Sequence, residues 1–228
     1  MDDALFEGFQ SGAVGKFLRN LHLVPDFVEN TEHTWNAAEN EAYLTTETQK
    51  SYNTELLTYW HLKYCQGLCI LRLVAVFNLD NSLHKTTLSK RDQSFFQPTG
   101  FLLEYLPGFT LSDMIDKAPR SSWQNIVDRA IEIAHIISDH NVLNDDVLPD
   151  NFMVVPNNGT YEVFMIDFGL CRVRRPGESD AEWGLEKWEA NEERSLGSVI
   201  QKMLSKVGFE LRYEFSERYI EWAEGEDD

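Results

Sequence analysis

The stretch 142–169 reads VLNDDVLPDNFMVVPNNGTYEVFMIDFG, and it decides the fold prediction. Two runs rich in apolar and β-branched residues, 152–155 (FMVV) and 161–166 (YEVFMI), have the composition of β-strands. Residues 156–159 (PNNG) separate them, and this composition is typical of a tight turn. The stretch therefore predicts a β-hairpin that follows a polar loop.

Polar side chains flank the predicted hairpin. Asp146 and Asn151 precede its first strand, and Asp167 follows its second strand within the tripeptide Asp-Phe-Gly. The composition predicts about 0.06 such tripeptides by chance but roughly one D-x-x-x-x-N, so the argument depends on their combination and order. Because a hairpin brings its two ends together, Asn151 and Asp167 can converge on one ion.

These residue types suit phosphoryl transfer. Carboxylate and amide oxygens are ligands that Mg²⁺ prefers, so Asn151 and Asp167 are candidate ligands of a magnesium ion that accompanies ATP. Asp146 can orient an acceptor hydroxyl and accept its proton. Local roles stay open as alternatives, since Asp146 can cap a turn and the other two can satisfy nearby backbone groups.

Regular elements are predicted upstream of this stretch. An apolar stripe at helical spacing over 123–137 predicts a buried helix. The sequence also predicts a helix near 52–64 and strands near 68–77 and 100–105, whereas residues 30–40 are polar and predict a loop. Together these elements indicate an α+β fold.

The order of helix, loop, hairpin and Asp-Phe-Gly resembles the protein-kinase-like superfamily, in the style of short, divergent kinase-like proteins of fungal genomes. The resemblance implies an α+β, two-lobed fold in which residues 1–104 form a partial N-lobe with a reduced sheet. Residues 105–228 then form a truncated, mainly helical C-lobe with a catalytic loop at 144–151 and the Asp-Phe-Gly segment at 167–169.

The resemblance also implies roles for single residues. It implies Asp146 as the catalytic residue and Asn151 and Asp167 as the metal ligands. The residues that it implies around the nucleotide are Leu103, Glu104, Leu106, Phe168 and Gly169. Glu55, in the helix near 52–64, is the implied partner of a phosphate-binding lysine.

The sequence also departs from the kinase pattern. No glycine-rich loop of the kinase type is recognisable, and Lys16 and Lys50 are weak candidates for the phosphate-binding lysine. Asn144 and Asp145 stand in place of the usual His and Arg, and Leu148 stands in place of a lysine. Three hypotheses follow: a phosphotransferase acting on protein Ser or Thr hydroxyls, an inactive pseudokinase scaffold, or a small-molecule kinase of the aminoglycoside or choline type.

Composition limits the partners. The chain of 228 residues has a formal net charge of −18, which opposes binding to nucleic acids and to anionic membranes. Its three cysteines and the lack of a secretory pattern at the N-terminus predict an intracellular location, in cytoplasm or nucleus. The expected partners are a nucleotide with magnesium and a protein or small-molecule phosphoacceptor.

Overall fold

A computed structural model describes residues 3–79 and 87–226 of the chain as a mixed α+β protein. The α-helices in these ranges are α1 Asp3–Gln10, α2 Ala13–Leu23, α3 Phe27–Thr31, α4 Ala37–His61, α5 Lys90–Gln93, α6 Met114–Lys117, α7 Trp123–Asp139, α8 Asp180–Ala190 and α9 Glu192–Ser205. The strands are β1 Leu73–Asn78, β2 Thr99–Leu103, β3 Phe109–Thr110, β4 Val142–Asn144, β5 Phe152–Asn157, β6 Thr160–Met165 and β7 Cys171–Val173. None of the helices in the described ranges is long and apolar enough to cross a membrane.

Backbone contacts divide the chain into two compact units. The first comprises Met1–Tyr52 and Ala75–Phe101, and the second comprises Asn53–Val74 and Leu102–Asp228. The units are interleaved along the chain, because residues 53–74 belong to the second unit although they precede part of the first. The assignment of 1–104 and 105–228 to two lobes stays a prediction.

The core of the first unit is apolar and rich in aromatic rings. The Phe17 ring on α2 meets Trp35 edge-on at 5.0 Å and Phe27 of α3 at 5.6 Å. Aromatic contacts thus join α2 to α3 and to the segment that leads into α4. The buried residues of this core are Leu5, Phe9, Val14, Phe17 and Ala42.

Helix α4 begins earlier than the sequence predicts. The helix near 52–64 exists, but it is the C-terminal part of α4, which ends at His61. Asn36 and Glu39 form a reciprocal pair at its start: the Glu39 N–H donates to Asn36 Oδ1 at 3.0 Å, and the Asn36 N–H donates to Glu39 Oε2 at 2.9 Å. This capping box starts a helix in a polar segment. The loop prediction over 30–40 is therefore wrong from residue 37 onward, and it is also wrong at 30–34, where α3 ends and a 3-10 turn follows.

The predicted strand near 68–77 is shorter and shifted. The chain turns at Gly67, which has a φ of 74° and whose N–H donates to Ile70 O at 2.7 Å, and β1 begins only afterwards. Ile70 is buried and Leu68 is exposed, so the apolar residues before β1 form a packed turn instead of a strand. The strand near 100–105 exists as β2, but it begins at Thr99 and ends at Leu103, so residues 104 and 105 lie outside it; β2 pairs with β1 in a two-stranded sheet.

The second unit is built around α7, and the predicted apolar stripe is confirmed. The helix packs against β6, β4 and α9. It therefore supports both the hairpin and the strand that leads into the loop with Asp146. Its buried apolar residues are Trp123, Ile126, Val127, Ala130, Ile133, Ala134 and Ile137.

The predicted hairpin is also confirmed. Strands β5 and β6 pair antiparallel, with Phe152 opposite Met165. Asn158 and Gly159 form the turn with φ values of 47° and 86°, and two successive positive φ values are the pattern of a type I′ turn. Strand β3 pairs with β5 to complete a three-stranded sheet, and β4 pairs with β7 in a separate ladder.

Candidate functional site

Asp146 lies in an irregular loop between β4 and a 3-10 turn at Pro149–Asn151. Its N–H donates to Asn144 Oδ1 at 2.8 Å. Asn151 Nδ2 donates to Asp146 Oδ2 at 2.8 Å and to Asp146 O at 2.9 Å. The structure therefore brings Asp146 and Asn151 into direct contact, and both residues are half-buried.

Asp167 lies just beyond the other end of the hairpin. The N–H of Ile166, immediately before it, donates to Asn151 O at 2.8 Å, so the chain leaves β6 next to Asn151. Asp167 is exposed and has a φ of 61°, a left-handed conformation that is uncommon for residues other than glycine. Its Oδ1 accepts a hydrogen bond from the Gly169 N–H at 3.1 Å. Asn151 and Asp167 thus come from adjacent ends of one hairpin.

The Asp-Phe-Gly segment packs against α4. Phe168 is fully buried, and its ring meets Tyr59 edge-on at 5.2 Å. Burial raises the pKa of Glu55, one turn earlier on α4, to about 7; the charge of Asp167 adds to this rise, and a backbone hydrogen bond at Phe168 opposes it. The predicted Glu55 therefore lies beside the Asp-Phe-Gly segment.

The predicted adenine-binding segment follows β2. Leu103 and Leu106 are half-buried and pack against the same small apolar core as Met153 and Ile166. Met153 and Ile166 stand close in sequence to Asn151 and Asp167, so the two halves of the predicted site share one core. The buried members of this core are Leu71, Val155 and Phe164.

Glu104, in the same segment, is fixed by Arg72. The Glu104 N–H donates to Arg72 O at 3.0 Å. In return, the Glu104 carboxylate accepts the Arg72 N–H at 2.8 Å and Arg72 Nη1 at 2.9 Å. The Glu104 side chain is therefore engaged within the protein.

The donor atoms of Asn151 and Asp167 fit magnesium. Because the Asn151 nitrogen donates to Asp146, its Oδ1 is the amide atom left for a cation. Mg²⁺ is usually held by one or two protein groups together with waters and phosphate oxygens, and an amide oxygen with a carboxylate suits that habit. In the described part of the chain, no cluster of three or more His, Cys, Asp or Glu side chains could hold a metal.

The two lysine candidates lie on helices. Lys16 belongs to α2, and Lys50 belongs to α4 with its Nζ 3.7 Å from Glu47 Oε2. In the kinase pattern the phosphate-binding lysine lies on a strand. Neither residue has that setting, and the identity of the lysine stays open.

Two residues that the sequence did not single out contact β4, the strand that leads into the loop with Asp146. Glu192 Oε1 accepts the Asn144 N–H at 2.7 Å. Lys187 Nζ donates to Val142 O at 2.9 Å and pairs with Glu192 Oε2. The contacts of Lys187 and Glu192 with β4 join positions 45 and 48 residues apart, so no local spacing pattern reveals them.

Comparisons with known proteins give no family assignment. The sequence matches no protein-family model and no curated protein. A solved structure of WaaP in complex with acyl carrier protein is similar to the chain, with a TM-score of 0.38 and 16% sequence identity. The match covers 61% of this chain and 56% of that one, so it spans little more than half the length of the solved chain.

Proposed function

We propose that this chain is a kinase-like phosphotransferase that uses ATP and Mg²⁺ and acts on a protein Ser or Thr hydroxyl. The observation that carries the proposal is the Asn151 amide, whose nitrogen donates to both Oδ2 and O of Asp146. The candidate metal ligand Asn151 is thus hydrogen-bonded directly to the candidate base Asp146. Asp167 lies at the adjacent end of the hairpin. Phosphoryl transfer depends mainly on such positioning and on charge neutralisation.

In this proposal Asp146 orients the acceptor hydroxyl and takes its proton. Its Oδ2 is engaged by Asn151, so Oδ1 is the oxygen that remains for the hydroxyl. Asn151 Oδ1 and the Asp167 carboxylate hold the magnesium ion. When bound, the ion neutralises charge on the transferred phosphoryl group.

The adenine ring would lie against the apolar cluster that includes Leu103 and Leu106. Ligand sites typically combine such an apolar surface with a few polar groups that fix orientation. The Glu104 carbonyl and the Leu106 N–H are the backbone groups that we expect to bind the adenine edge. Phe168 and Gly169 are expected to contribute by fixing the backbone beside Asp167.

Isothermal titration of ATP with and without Mg²⁺ tests the site. We expect magnesium-dependent binding by the wild type, weakened at least about tenfold in Asp167→Ala because a charged ligand of the ion is lost. Asp180→Ala, which removes an exposed carboxylate from the start of α8, is the matched control and should bind as the wild type does. Equal affinity in Asp167→Ala and wild type would contradict the proposed metal site.

Turnover separates the role of Asp146 from binding. Asp146→Asn should abolish phosphate transfer and leave ATP affinity within about threefold of wild type, because the base is lost but the metal ligands remain. Serine and threonine peptides are the first acceptors to assay, and aminoglycosides and choline test the small-molecule alternative. Equal turnover by Asp146→Asn would remove Asp146 from the mechanism.

One observation favours a second candidate, a pseudokinase scaffold. Residues 3–61 carry the four α-helices α1 to α4, whereas in protein kinases a glycine-rich loop covers the nucleotide phosphates and the phosphate-binding lysine lies on a strand. A protein that is folded by circular dichroism but binds no ATP at millimolar concentration would support the scaffold and exclude the phosphotransferase.

A further inference from the structure

Lys187 on α8 is a fully buried lysine. Its side chain is 0% exposed, so its ammonium group depends on protein partners for compensation. Nζ donates to Val142 O at 2.9 Å and pairs with Glu192 Oε2. Two aromatic rings lie near the ammonium group, with Nζ 5.7 Å from the ring centroid of Trp183 and 5.9 Å from that of Tyr219. A desolvated ammonium with fixed partners also fixes the groups that it contacts.

Glu192 links Lys187 to the loop that carries Asp146. Its Oε2 pairs with Lys187, and its Oε1 accepts the Asn144 N–H at 2.7 Å. Asn144 is 2% exposed, and its Oδ1 accepts the Asp146 N–H at 2.8 Å. A continuous series of polar contacts therefore runs from Lys187 through Glu192 and Asn144 to Asp146.

The geometry points to Lys187 as a positioning residue that, through Glu192 and Asn144, fixes the loop presenting Asp146. The inference rests on the proposed function, in which Asp146 faces the acceptor hydroxyl. The loop itself is neither helix nor strand, so side-chain contacts largely define its conformation. A buried ion pair is a poor source of net stability, whereas a displacement of about 1 Å at a reacting group can lower a rate by about 100-fold. Placement of Asp146 is therefore the better reason for a desolvated pair here.

Hydrogen exchange of single backbone amides tests this inference without any nucleotide. Lys187→Met keeps the apolar stem but removes the cation from Glu192. The amides of Asn144 and Asp146 should exchange at least about tenfold faster than in wild type, and those of Val154 in the hairpin less than about threefold faster. Unchanged exchange at Asn144 and Asp146, or an equal increase throughout the second unit, would overturn the inference.

A double variant covers the case in which Lys187→Met fails to fold. Lys187→Met/Glu192→Gln removes both charges and leaves no unpaired buried charge. Global stability should recover, but the Asn144 and Asp146 amides should still exchange at least about tenfold faster, because the neutral side chain that replaces Glu192 is no longer anchored by an ammonium group. Recovery of both stability and protection would reduce Lys187 to a structural role and overturn the inference.

Kinetics add a readout that a purely structural residue would not change. In the double variant kcat should fall at least about tenfold while the KM for ATP changes less than about threefold, since the base moves but the nucleotide site stays. Arg218→Met, which breaks a more exposed ion pair with Asp139, is the control and should leave both the exchange pattern and kcat unchanged. An unchanged kcat in the double variant would overturn the inference. If the wild type shows no turnover, the proposed function fails, and the exchange data still decide whether Lys187 fixes the loop.

Discussion

The two compact units differ in what they bury. Within the described residues, the buried core of the first unit is entirely apolar, whereas the buried polar or charged residues all lie in the second unit. Burying a polar group costs free energy unless it is hydrogen-bonded, so an apolar core is the simpler way to stabilise a fold. The difference indicates that the second unit uses buried polar contacts to fix the positions of the segments that they join. These polar residues are Thr58, Ser138, Asn144 and Lys187.

The largest effect is expected from the aromatic core of the first unit. Phe17 is 4% exposed and contacts Trp35 and Phe27, so Phe17→Ala should lower the free energy of unfolding by about 3–5 kcal/mol. Urea denaturation followed by circular dichroism measures it. Leu23→Ala, at an exposed position of α2, should change stability by less than about 0.5 kcal/mol. A cost for Phe17→Ala near that of the control would show that this unit does not depend on its aromatic core.

A second prediction uses the pH dependence of the second unit. Burial alone raises the pKa of Glu193, but the close contact with His135 and the hydrogen bonds from Ser216 and Tyr213 outweigh it and lower the pKa from 4.5 to about 2. A carboxylate whose pKa is lowered in the folded state stabilises that state at pH values above its ordinary pKa. This contribution disappears as the pH falls from 4.5 toward 2.

Glu193→Gln tests this contribution directly. The stability advantage of wild type over the variant should shrink by about 1–2 kcal/mol on acidification, with the partial exposure of the group taken into account. Equilibrium denaturation above and below this pH range gives the difference. Glu189→Gln is the exposed control on the preceding helix. A difference that does not vary with pH would mean that Glu193 is not held as a carboxylate by these partners.

A third, smaller effect is expected at the hairpin turn. Gly159 has a φ of 86° with open space around its Cα, so Gly159→Ala should destabilise by about 1 kcal/mol through backbone strain alone. Thermal unfolding measures this cost, and Asn158→Gly, which suits the same turn, should be nearly neutral. A stabilising Gly159→Ala would contradict the type I′ turn that holds the ends of the hairpin together.

The smallest effect is expected at an exposed lysine, Lys50, in contrast to the buried Lys187. Lys50 is 75% exposed beside Glu47, whereas Lys187 is fully buried, so Lys50→Met should change stability by less than about 0.5 kcal/mol. ATP affinity should change by less than about twofold. Loss of ATP binding in this variant would instead assign the phosphate-binding role to Lys50.

Local patterns explain which parts of the fold the sequence could predict. The stripe of α7 is buried as its periodicity predicts, and the Asn158-Gly159 turn formed because few other residues favour two positive φ values. The early start of α4 was missed because its capping pair, Asn36 and Glu39, stands in a polar segment without apolar periodicity.

The same distinction applies to the candidate site. The contact between Asp146 and Asn151 spans five residues, and the approach of Asp167 follows from the hairpin, so both were accessible from local sequence. Lys187 and Glu192 were not, because their contacts with β4 join distant elements and depend on tertiary packing. The order of motifs predicts which side chains are brought together, but not the polar contacts that hold them.

The left-handed backbone of Asp167 has a consequence for mutational tolerance. Glycine adopts a φ of 61° without a Cβ penalty, and asparagine tolerates it at least as well as aspartate. A variant library selected only for folding should therefore enrich glycine at this codon, whereas a library selected for nucleotide turnover should retain aspartate. The ratio of the two enrichments would show how strongly the need for a carboxylate at position 167 outweighs its cost in folding stability.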